Sequence, residues 1–389
     1  MQLVIVRRTP GISFSMDVYA DNLVKYLKQV RPDWKITECA PNSSGDWRSG
    51  TGLRKYYERY WNHPRDVVEQ SGDIFHVIDH THAHVARWLK AQGKPVVVTC
   101  HDLVPLTHPE TVKAESRLPA LSAITWRYSA NGLKCADQVL CVSSHTAGDV
   151  IQHLNIPHHC TSVIHSAADS HFRSIDPAIV QDFRQRHLAS PQEFVLLHVG
   201  SNQVRKNISN ILKALKLTLD RGIPARLWRV GGGFTTEQTE YIEKAGLSDR
   251  ITQFENIDQS KLVTLYNAAD ITLFPSFYEG FGFPVLESMA CGTPVITSTT
   301  SSLPEVAGNA AILIDPTHPK TMADAIALLY QDSSYREQLV QRGFQRVKQF
   351  HWRITAEKTA QLYEQILERY QSQTLQSENT FKVINSRKS

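Results

Sequence analysis

The feature that most constrains the fold of this chain is the alternation of short β-branched runs with segments of helical periodicity. In the first half, residues 3–6, 73–78, 95–100 and 138–142 predict strands, and residues 17–30 and 85–91 predict helices. A second series predicts strands at 194–199, 225–230, 251–254, 271–274, 295–296 and 311–314, with helices at 208–219, 261–267 and 284–290. Because strands that alternate with helices form parallel sheets covered by helices, we predict an α/β protein with two doubly wound units.

The length of 389 residues also suits two domains better than one. We expect a first domain at 1–185 and a second at 190–354, followed by a helix at 355–370. The polar segment 371–389 lacks periodicity and is expected to fray. In doubly wound sheets, ligands bind beyond the carboxyl ends of the strands, so a functional site is expected in the loops that follow them.

The composition excludes several classes of protein. A hydrophobic fraction of 41% with 21% charged residues excludes wholesale disorder, and a net charge of +4 is too small to indicate a nucleic-acid partner. The six cysteines include no C-x-x-C pair, which argues against a zinc module or a disulfide framework. The apolar run after Met1 is too short for a signal peptide, and no run is long enough to span a membrane. We therefore expect a cytoplasmic protein.

The most informative segment, 274–292, is predicted to be a strand, a glycine-bearing loop and a helix. Gly280 and Gly282 are expected to bring backbone N–H groups close to a helix N-terminus, where phosphate or sugar hydroxyls bind well. Glu279 lies in the loop and Glu287 lies about one turn into the helix, so both carboxylates could face one polyhydroxylated ligand. Alternatively, Glu279 is a solvated loop residue and Glu287 is an acid favoured by the helix dipole.

Glu279 and Glu287 form an E-x7-E pattern within P-S-x-x-E-G-F-G-x-P-x-L-E-x-M-A-C-G-T-P-V. This segment closely resembles the retaining glycosyltransferase family 4, as do residues 302–308, and the resemblance covers nearly the whole chain. It implies the GT-B fold, in which two Rossmann-like domains face each other across a cleft. The helix at 355–370 would cross back to the N-terminal, acceptor-side domain, and the C-terminal domain would bind the nucleotide-sugar.

The resemblance also implies roles for individual residues. Glu279 would contact the donor sugar and stabilise its developing positive charge, and Glu287 would hold the ribose hydroxyls of the nucleotide. The backbone of Ile257 would meet the base, although Asn256 replaces the family's usual glycine. The backbone that serves the sugar and the diphosphate would be that of Gly280, Phe281, Gly282 and Phe283.

Arg205 and Lys206 follow a predicted strand and precede a predicted helix. Positioned cations can neutralise a diphosphate as it leaves, although an isolated pair of this kind is usually solvated. Their position resembles the basic pair that the family places at the diphosphate, so we predict a catalytic and donor-binding role. Because Lys206 and Glu279 are expected in ligand-facing loops, replacing either should change folding stability little.

The first domain carries further candidates. His101 resembles the family histidine that lines the cleft beside the transferred sugar, which predicts a catalytic role. Gly11 occupies the position where the family brings its first loop against the donor phosphate or the acceptor.

His80, His82 and His84 recur with a period of two, which on a strand would align three imidazoles as a metal site. The strand is expected to end just before them, and no partner set of ligands is identifiable. His80 and His82 could instead contact acceptor or donor hydroxyls, or all three could be polar loop residues. We predict no metal, and we keep His80 and His82 as acceptor-side candidates.

The chain has no D-x-D pattern, with which many transferases hold a diphosphate through a divalent cation. We therefore expect metal-independent transfer without a cofactor, in which a hexose moves from a nucleotide-diphosphate sugar to a hydroxyl of a glycan or lipid-linked acceptor. The mannosyltransferase-like segment 101–106 favours GDP-mannose over a UDP-sugar. The alternatives are a GT-B epimerase or phosphorylase, and a catalytically silent nucleotide-sugar-binding scaffold.

Residues 47–65 combine aromatic residues at helical spacing with several cations and one acid, Glu58. Such a face could lie on an anionic membrane surface and bring a lipid-linked acceptor to the enzyme, at the inner face of the membrane. Alternatively, the aromatic residues pack against the first domain and the cations are solvated.

Overall fold

The computed structural model describes residues 1–11, 14–41, 52–109, 119–188 and 190–386. The chain divides into two compact units. The first is formed by the described residues within 1–107, 112–166 and 352–389, and the second by those within 108–111 and 167–351. Each unit has a six-stranded parallel sheet and covering helices, which confirms the predicted α/β class.

The sheet of the first unit has the strand order β2-β1-β3-β4-β5-β6. Its strands are β1 (Gln2–Val6), β2 (Lys35–Cys39), β3 (Ile74–Val77), β4 (Val96–Cys100), β5 (Gln138–Cys141) and β6 (Thr161–Val163). Its helices up to β6 are α1 (Phe14–Val30), α2 (Gly52–Tyr57), α3 (His63–Val68), α4 (Val85–Ala91), α5 (Val104–Thr107), α6 (Pro119–Ala130) and α7 (Ser144–Leu154). A π-helix at Glu58–Asn62 joins α2 to α3.

The sheet of the second unit has the strand order β12-β11-β10-β7-β8-β9. Its strands are β7 (Phe194–Val199), β8 (Ala225–Val230), β9 (Ile251–Phe254), β10 (Ile271–Phe274), β11 (Val295–Ser298) and β12 (Ala311–Ile314). Its helices are α8 (Pro177–His187), α9 (Ile208–Asp220), α10 (Thr236–Lys244), α11 (Gln259–Ala268), α12 (Phe283–Ala290), α13 (Leu303–Ala307), α14 (Pro319–Gln331) and α15 (Ser333–Val347).

The central strands are buried on both faces, which explains their nearly continuous apolar sequences. In β7, Leu196 packs in the core on one side of the sheet with Leu212 of α9. Its neighbour Leu197 packs on the other side with Trp228 of β8. Because the strands of each sheet run parallel, their carboxyl ends meet at one edge, and the loops at that edge carry the candidate site residues.

Ten of the twelve strands lie where the sequence predicts them, and the two that were not predicted lie at the edges of the first sheet. The edge strand β2 contains three polar residues among the five of Lys35–Cys39, and no residue in it is fully buried. The other edge strand, β6, has only three residues. Edge strands have one open side and are often short and charged, so they give a weak apolar signal.

The unit boundary differs from the predicted end of the first domain at residue 185. The second unit begins at Ala167 and therefore includes α8. Phe183 of α8 is buried against Trp228 and Phe254, so this helix completes the core of the second sheet. A polar helix that contributes one buried aromatic residue gives little sequence evidence of which core it joins.

The C-terminal helix, α16 (Trp352–Ser386), belongs to the first unit. It packs on α1. Arg31, which follows α1, forms an ion pair with Glu364 at 2.8 Å, and Tyr363 is hydrogen-bonded to His76. The expectation of a frayed tail from residue 371 was wrong, because the helix continues to Ser386. The helix contains neither proline nor glycine, so each further residue adds a backbone hydrogen bond at low cost. None of the described helices is both long and apolar enough to cross a bilayer.

Candidate functional site

The loop between β10 and α12 has the backbone geometry that its glycines allow. Gly282 precedes the helix with a φ of 110°, in the left-handed region that favours glycine. A Cβ at this position would lie 2.8 Å from Leu303, so a side chain would also collide with α13. Pro284 is in the first turn of α12, where its missing N–H costs nothing. The predicted strand, loop and helix are confirmed.

The carboxylate of Glu279 lies between two cations. Lys206 donates from Nζ to Oε1 of Glu279 at 2.6 Å, and Arg205 donates from Nη1 to Oε2 at 2.8 Å. Arg205 also donates to the backbone carbonyl of Tyr278 at 3.1 Å. Lys206 and Glu279 are buried, with 8% and 7% of their surface exposed. The structure therefore brings three sequence-predicted residues into one cluster.

The ionisation of Glu279 is set by this environment. Burial raises the pKa of the Glu279 carboxyl, but the charges of Lys206 and Arg205 outweigh it and hold the pKa below its ordinary value. Glu279 is therefore ionised at neutral pH. The prediction that it is a solvated loop residue, one of the two alternatives left open by the sequence, does not hold.

Serine residues fix the loop that carries Glu279, and sequence reasoning did not assign them this role. The hydroxyl of Ser302 donates to the backbone carbonyls of Glu279 at 2.9 Å and of Phe281 at 2.7 Å. The backbone N–H of Glu279 donates to Ser301 at 3.0 Å. Ser302 begins the 302–308 segment and Ser301 precedes it, so the family resemblance of that segment was the available signal.

The loop that carries Arg205 and Lys206 is tied to the end of β10. The N–H of Phe277 donates to the carbonyl of Arg205 at 2.8 Å. Asn207, which has a left-handed φ of 63°, donates from its side chain to the carbonyls of Pro275 at 3.0 Å and Pro316 at 2.7 Å. The two cations and Glu279 are thus held by a rigid backbone frame.

Glu287 has a different environment on α12. Its Oε2 accepts a hydrogen bond from the hydroxyl of Tyr266 at 2.8 Å. Burial is the main cause that raises the pKa of Glu287 to about 7, while the Tyr266 hydrogen bond lowers it. The two carboxylates of the E-x7-E pattern therefore differ in charge near neutral pH, because only Glu279 lies between cations.

The first glycine after β8 allows two strand ends to pack closely. Gly231 has a φ of 133°, and a Cβ there would lie 1.9 Å from the carbonyl oxygen of Gly200 at the end of β7. Its small size thus lets two backbone segments approach each other. After β9, Asn256 precedes Ile257 and has a left-handed φ of 48°, a conformation that asparagine adopts more readily than most residues.

In the first unit, His101 lies at the carboxyl end of β4. Its Nε2 is 2.8 Å from the carbonyl oxygen of Ile78, and because a carbonyl only accepts, Nε2 carries the proton. Burial lowers the pKa of His101, so the imidazole is neutral at pH 7 and its Nδ1 is an acceptor. The ring of Tyr19 packs edge-on against it at 4.7 Å.

A buried carboxylate that the sequence analysis did not single out lies beside His101. Asp79 forms an ion pair with Arg8 at 2.6 Å and accepts from the N–H of Thr81 at 2.9 Å. Burial raises the pKa of Asp79, but Arg8 and the neighbouring His80 outweigh it and hold the pKa below the ordinary value. The carboxyl ends of β1, β3 and β4 thus bring Arg8, Asp79, His80 and His101 together.

His80 and His82 lie on a 3-10 helix and His84 immediately precedes α4, so the three histidines do not alternate along a strand. His80 accepts a weak hydrogen bond at 3.4 Å from the N–H of His101, and His82 lies 3.3 Å from the Thr81 hydroxyl. His84 is bonded to the carbonyl of Arg59 at 2.9 Å. In the described ranges, no group of three or more His, Cys, Asp or Glu side chains is arranged to hold a metal ion.

The first loop of the chain is held by a carboxylate. The N–H of Gly11, which has a left-handed φ of 84°, donates to Asp17 at 2.8 Å. The same carboxylate forms an ion pair with Arg7 at 3.1 Å. Asp17 therefore fixes the backbone at Gly11, which is exposed at the carboxyl end of β1.

Comparisons with known families match both units. A family model described as "Glycosyl transferases group 1" matches residues 180–346, and one described as "Glycosyltransferase Family 4" matches residues 17–172. The chain is 30% identical over 270 residues to the O-antigen chain mannosyltransferase B of Escherichia coli, a match that covers 69% of each chain. It is 26% identical over 339 residues to the serotype-specific mannosyltransferase WbdA of Escherichia coli, which covers 80% of this chain and 40% of that relative.

A comparison with solved structures supports the same fold. The sucrose-phosphate synthase from Thermosynechococcus elongatus superposes with a TM-score of 0.75 at 20% identity, covering 95% of this chain and 100% of that one. The GT-B fold that the sequence resemblance implied is confirmed by this similarity.

Proposed function

Because this chain belongs to glycosyltransferase family 4, we propose that it transfers a hexose from a nucleotide-diphosphate sugar to a hydroxyl acceptor, with retention of configuration. Glycosyltransferase activity follows from the family, and the donor, the stereochemistry and the metal requirement are the proposal. The observation that carries it is the buried cluster of Glu279, Arg205 and Lys206 beside the Gly280–Phe283 backbone.

This cluster supports diphosphate binding without a metal ion. When the bond between the anomeric carbon and the diphosphate breaks, negative charge develops on the leaving oxygen. Arg205, Lys206 and the N–H groups at the start of α12 can stabilise that charge. The acceptor oxygen forms the new bond on the same face of the sugar, and its proton passes to the departing diphosphate. Glu279 orients the sugar and stabilises the positive charge that develops on it.

The identity of the donor rests on the relatives. Two relatives are named mannosyltransferases, which supports the preference for GDP-mannose over a UDP-sugar. One of them acts on an O-antigen chain according to its name, so we propose a glycan or a lipid-linked glycan as the acceptor. In the first unit, His101 offers Nδ1 as an acceptor for a sugar hydroxyl, and His80 is the neighbouring candidate.

The experiment that tests this function is a donor screen followed by product analysis. Calorimetric titration with GDP and UDP identifies the base, and turnover of the matching nucleotide-sugars with a glycan acceptor follows. We expect tighter binding of GDP and release of GDP from GDP-mannose, with an α-linked product by NMR. Conversion of the donor alone would indicate an epimerase, a requirement for inorganic phosphate would indicate a phosphorylase, and binding without turnover would indicate a silent scaffold.

We also propose that the first unit contacts an anionic membrane. Residues 47–51 of the predicted stripe and the side chains at 52, 53 and 55 lie outside the described residues. Of the others, Tyr60 packs against His84 and Tyr128, whereas Tyr57 and Trp61 are 54% and 49% exposed. The stripe is thus divided between packing and exposure, so each of the two alternatives describes a part of it.

The exposed part continues onto α6. Leu121, Ile124 and Tyr128 recur there at helical spacing and are at least 40% exposed. The sequence of α6 contains one charged residue, the cation Arg127, and Arg87 lies over the ring of Tyr128 at 4.4 Å. Aromatic and aliphatic side chains bordered by cations are the composition that binds at the headgroup level of anionic bilayers.

A further inference from the structure

Tyr266 holds one oxygen of Glu287 from the protein interior. The side chain of Tyr266 is wholly buried in α11, and its ring packs edge-on against Phe172 at 5.8 Å. Its backbone carbonyl accepts a hydrogen bond from Thr293 at 2.5 Å. The phenol therefore has a fixed position, and its hydroxyl reaches Oε2 of Glu287 at 2.8 Å.

The two carboxylate oxygens of Glu287 differ in their hydrogen bonding. Glu287 is only partly buried, although its surroundings are apolar enough to raise its pKa. Among the hydrogen bonds between described residues, Oε2 has the Tyr266 hydroxyl as its donor and Oε1 has none. A carboxylate with one oxygen held by the protein and one open acceptor has the form of a site for a hydroxyl ligand.

We infer that Tyr266 is a positioning residue that orients Glu287 so that its open oxygen accepts hydrogen bonds from the ribose hydroxyls of the donor nucleotide. This inference rests on the proposed function, since it requires that a nucleoside diphosphate binds the second unit. Its new content is the dependence of that binding on a buried phenol that does not itself touch the ligand.

The same geometry couples nucleotide binding to pH. Burial raises the pKa of Glu287 to about 7, the Tyr266 hydroxyl and the charge of Lys206 lower it, and Asp169 raises it. Asp169 is itself paired with His171, and the buried thiol of Cys291 at the end of α12 also lies close to Glu287. Ribose hydroxyls donate best to an ionised carboxylate, so affinity should increase as the pH rises through this pKa.

The test is the pH dependence of nucleoside diphosphate binding in the Tyr266→Phe variant. GDP and UDP are titrated calorimetrically into the full chain from about pH 5.5 to about pH 8.5, a range that extends below and above the raised pKa of about 7. We expect about tenfold weaker binding of the preferred nucleotide at pH 7, because a hydrogen bond to a charged group is lost. We also expect the midpoint of the affinity increase to move to higher pH.

The matched control is Tyr363→Phe, which removes a buried tyrosine hydroxyl in the first unit and should leave both quantities unchanged. Glu287→Gln should abolish the pH-dependent step, and adding Tyr266→Phe to it should weaken binding no further.

If Tyr266→Phe does not fold, a pH-independent affinity in Glu287→Gln still supports the coupling, and an unchanged profile refutes it. If the wild type binds and Tyr266→Phe binds equally well at every pH, only the role of Tyr266 is refuted. Absence of binding by the wild type would refute the proposed function as well.

Discussion

Lys206 donates a hydrogen bond from Nζ to Oε1 of Glu279 at 2.6 Å, across 73 residues of sequence. The cation expected at the diphosphate and the carboxylate expected at the sugar are therefore paired with each other. Arg205 completes the cluster on the other carboxylate oxygen. Under the proposed function, a bound diphosphate would share both cations with Glu279.

Glu279→Gln should reduce both activity and stability. We expect turnover to fall by at least about a hundredfold, equivalent to about 2.7 kcal/mol of transition-state stabilisation. The free energy of unfolding should fall by about 3–5 kcal/mol, because a buried cation loses its partner. Initial rates and chemical denaturation measure the two effects. Glu240→Gln, an exposed carboxylate of α10, is the control and should change neither. Near-native turnover in Glu279→Gln would contradict the assignment.

The expected loss of stability corrects the prediction made from the sequence. Loops that follow strands usually lie at the surface, so Lys206 and Glu279 were expected to be neutral for folding. Both side chains are buried in the structure. The two loops are held in place by hydrogen bonds from Ser302 to the carbonyl of Glu279 and from Asn207 to the carbonyl of Pro275. Sequence spacing gives no information about such a pairing between loops.

Glu287→Gln should become more stable relative to the wild type as the pH rises. Replacing an ordinary ion-paired acid would have the opposite effect. The folded pKa of about 7 exceeds the ordinary value of 4.5, so the folded state binds the proton more tightly. The associated stability is fully present below about pH 4.5 and is lost as the pH rises through about 7. The variant should therefore gain up to about 3 kcal/mol relative to wild type between about pH 5 and about pH 8. Denaturant unfolding at both pH values checks this, and an equal difference at both would contradict it.

Gly231→Ala should destabilise the second unit, because its new Cβ would lie 1.9 Å from the carbonyl oxygen of Gly200 and its φ is positive. Backbone strain of this kind costs about 1–3 kcal/mol, and the collision adds to it. Gly232→Ala is a matched control, since a Cβ there has nothing within 4 Å. Thermal unfolding of both variants tests the prediction. Equal melting temperatures would show that the strand ends adjust without cost.

Transfer should continue in excess chelator, because the proposed function assigns neutralisation of the diphosphate to Arg205, Lys206 and helix N-terminal amides. Initial rates are compared with chelator, and with chelator plus an excess of magnesium or manganese. We expect the two rates to agree within about twofold. Loss of a catalytic group would instead reduce the rate by about a hundredfold or more. Activity that depends strictly on an added divalent cation would contradict metal-independent transfer.

The parts of the fold that the sequence predicted are those with a local signal. The strands from Phe194–Val199 to Ala311–Ile314 have apolar runs, and the loop before α12 has glycine and proline at positions that their backbone requires. The edge strand Lys35–Cys39 and the roles of Ser302 and Tyr266 depend on partners far away in the chain. The residues that neighbour a polar or buried side chain in the sequence do not reveal a partner that lies far away in the chain.

The exposed surface of Tyr57, Trp61 and α6 leads to the last prediction, which concerns binding to vesicles. The wild type should co-sediment with phosphatidylglycerol-containing vesicles and not with pure phosphatidylcholine, because cations border the apolar side chains. Trp61→Glu combined with Ile124→Glu should abolish this binding, since each acid opposes both burial and the surface charge. Ile179→Glu is the control, because Ile179 is equally apolar and 51% exposed but lies on α8 of the second unit. Equal binding by all variants, or none by the wild type, would show that this surface is not a membrane contact. Turnover of a water-soluble acceptor should be the same in all of them, which separates membrane binding from catalysis.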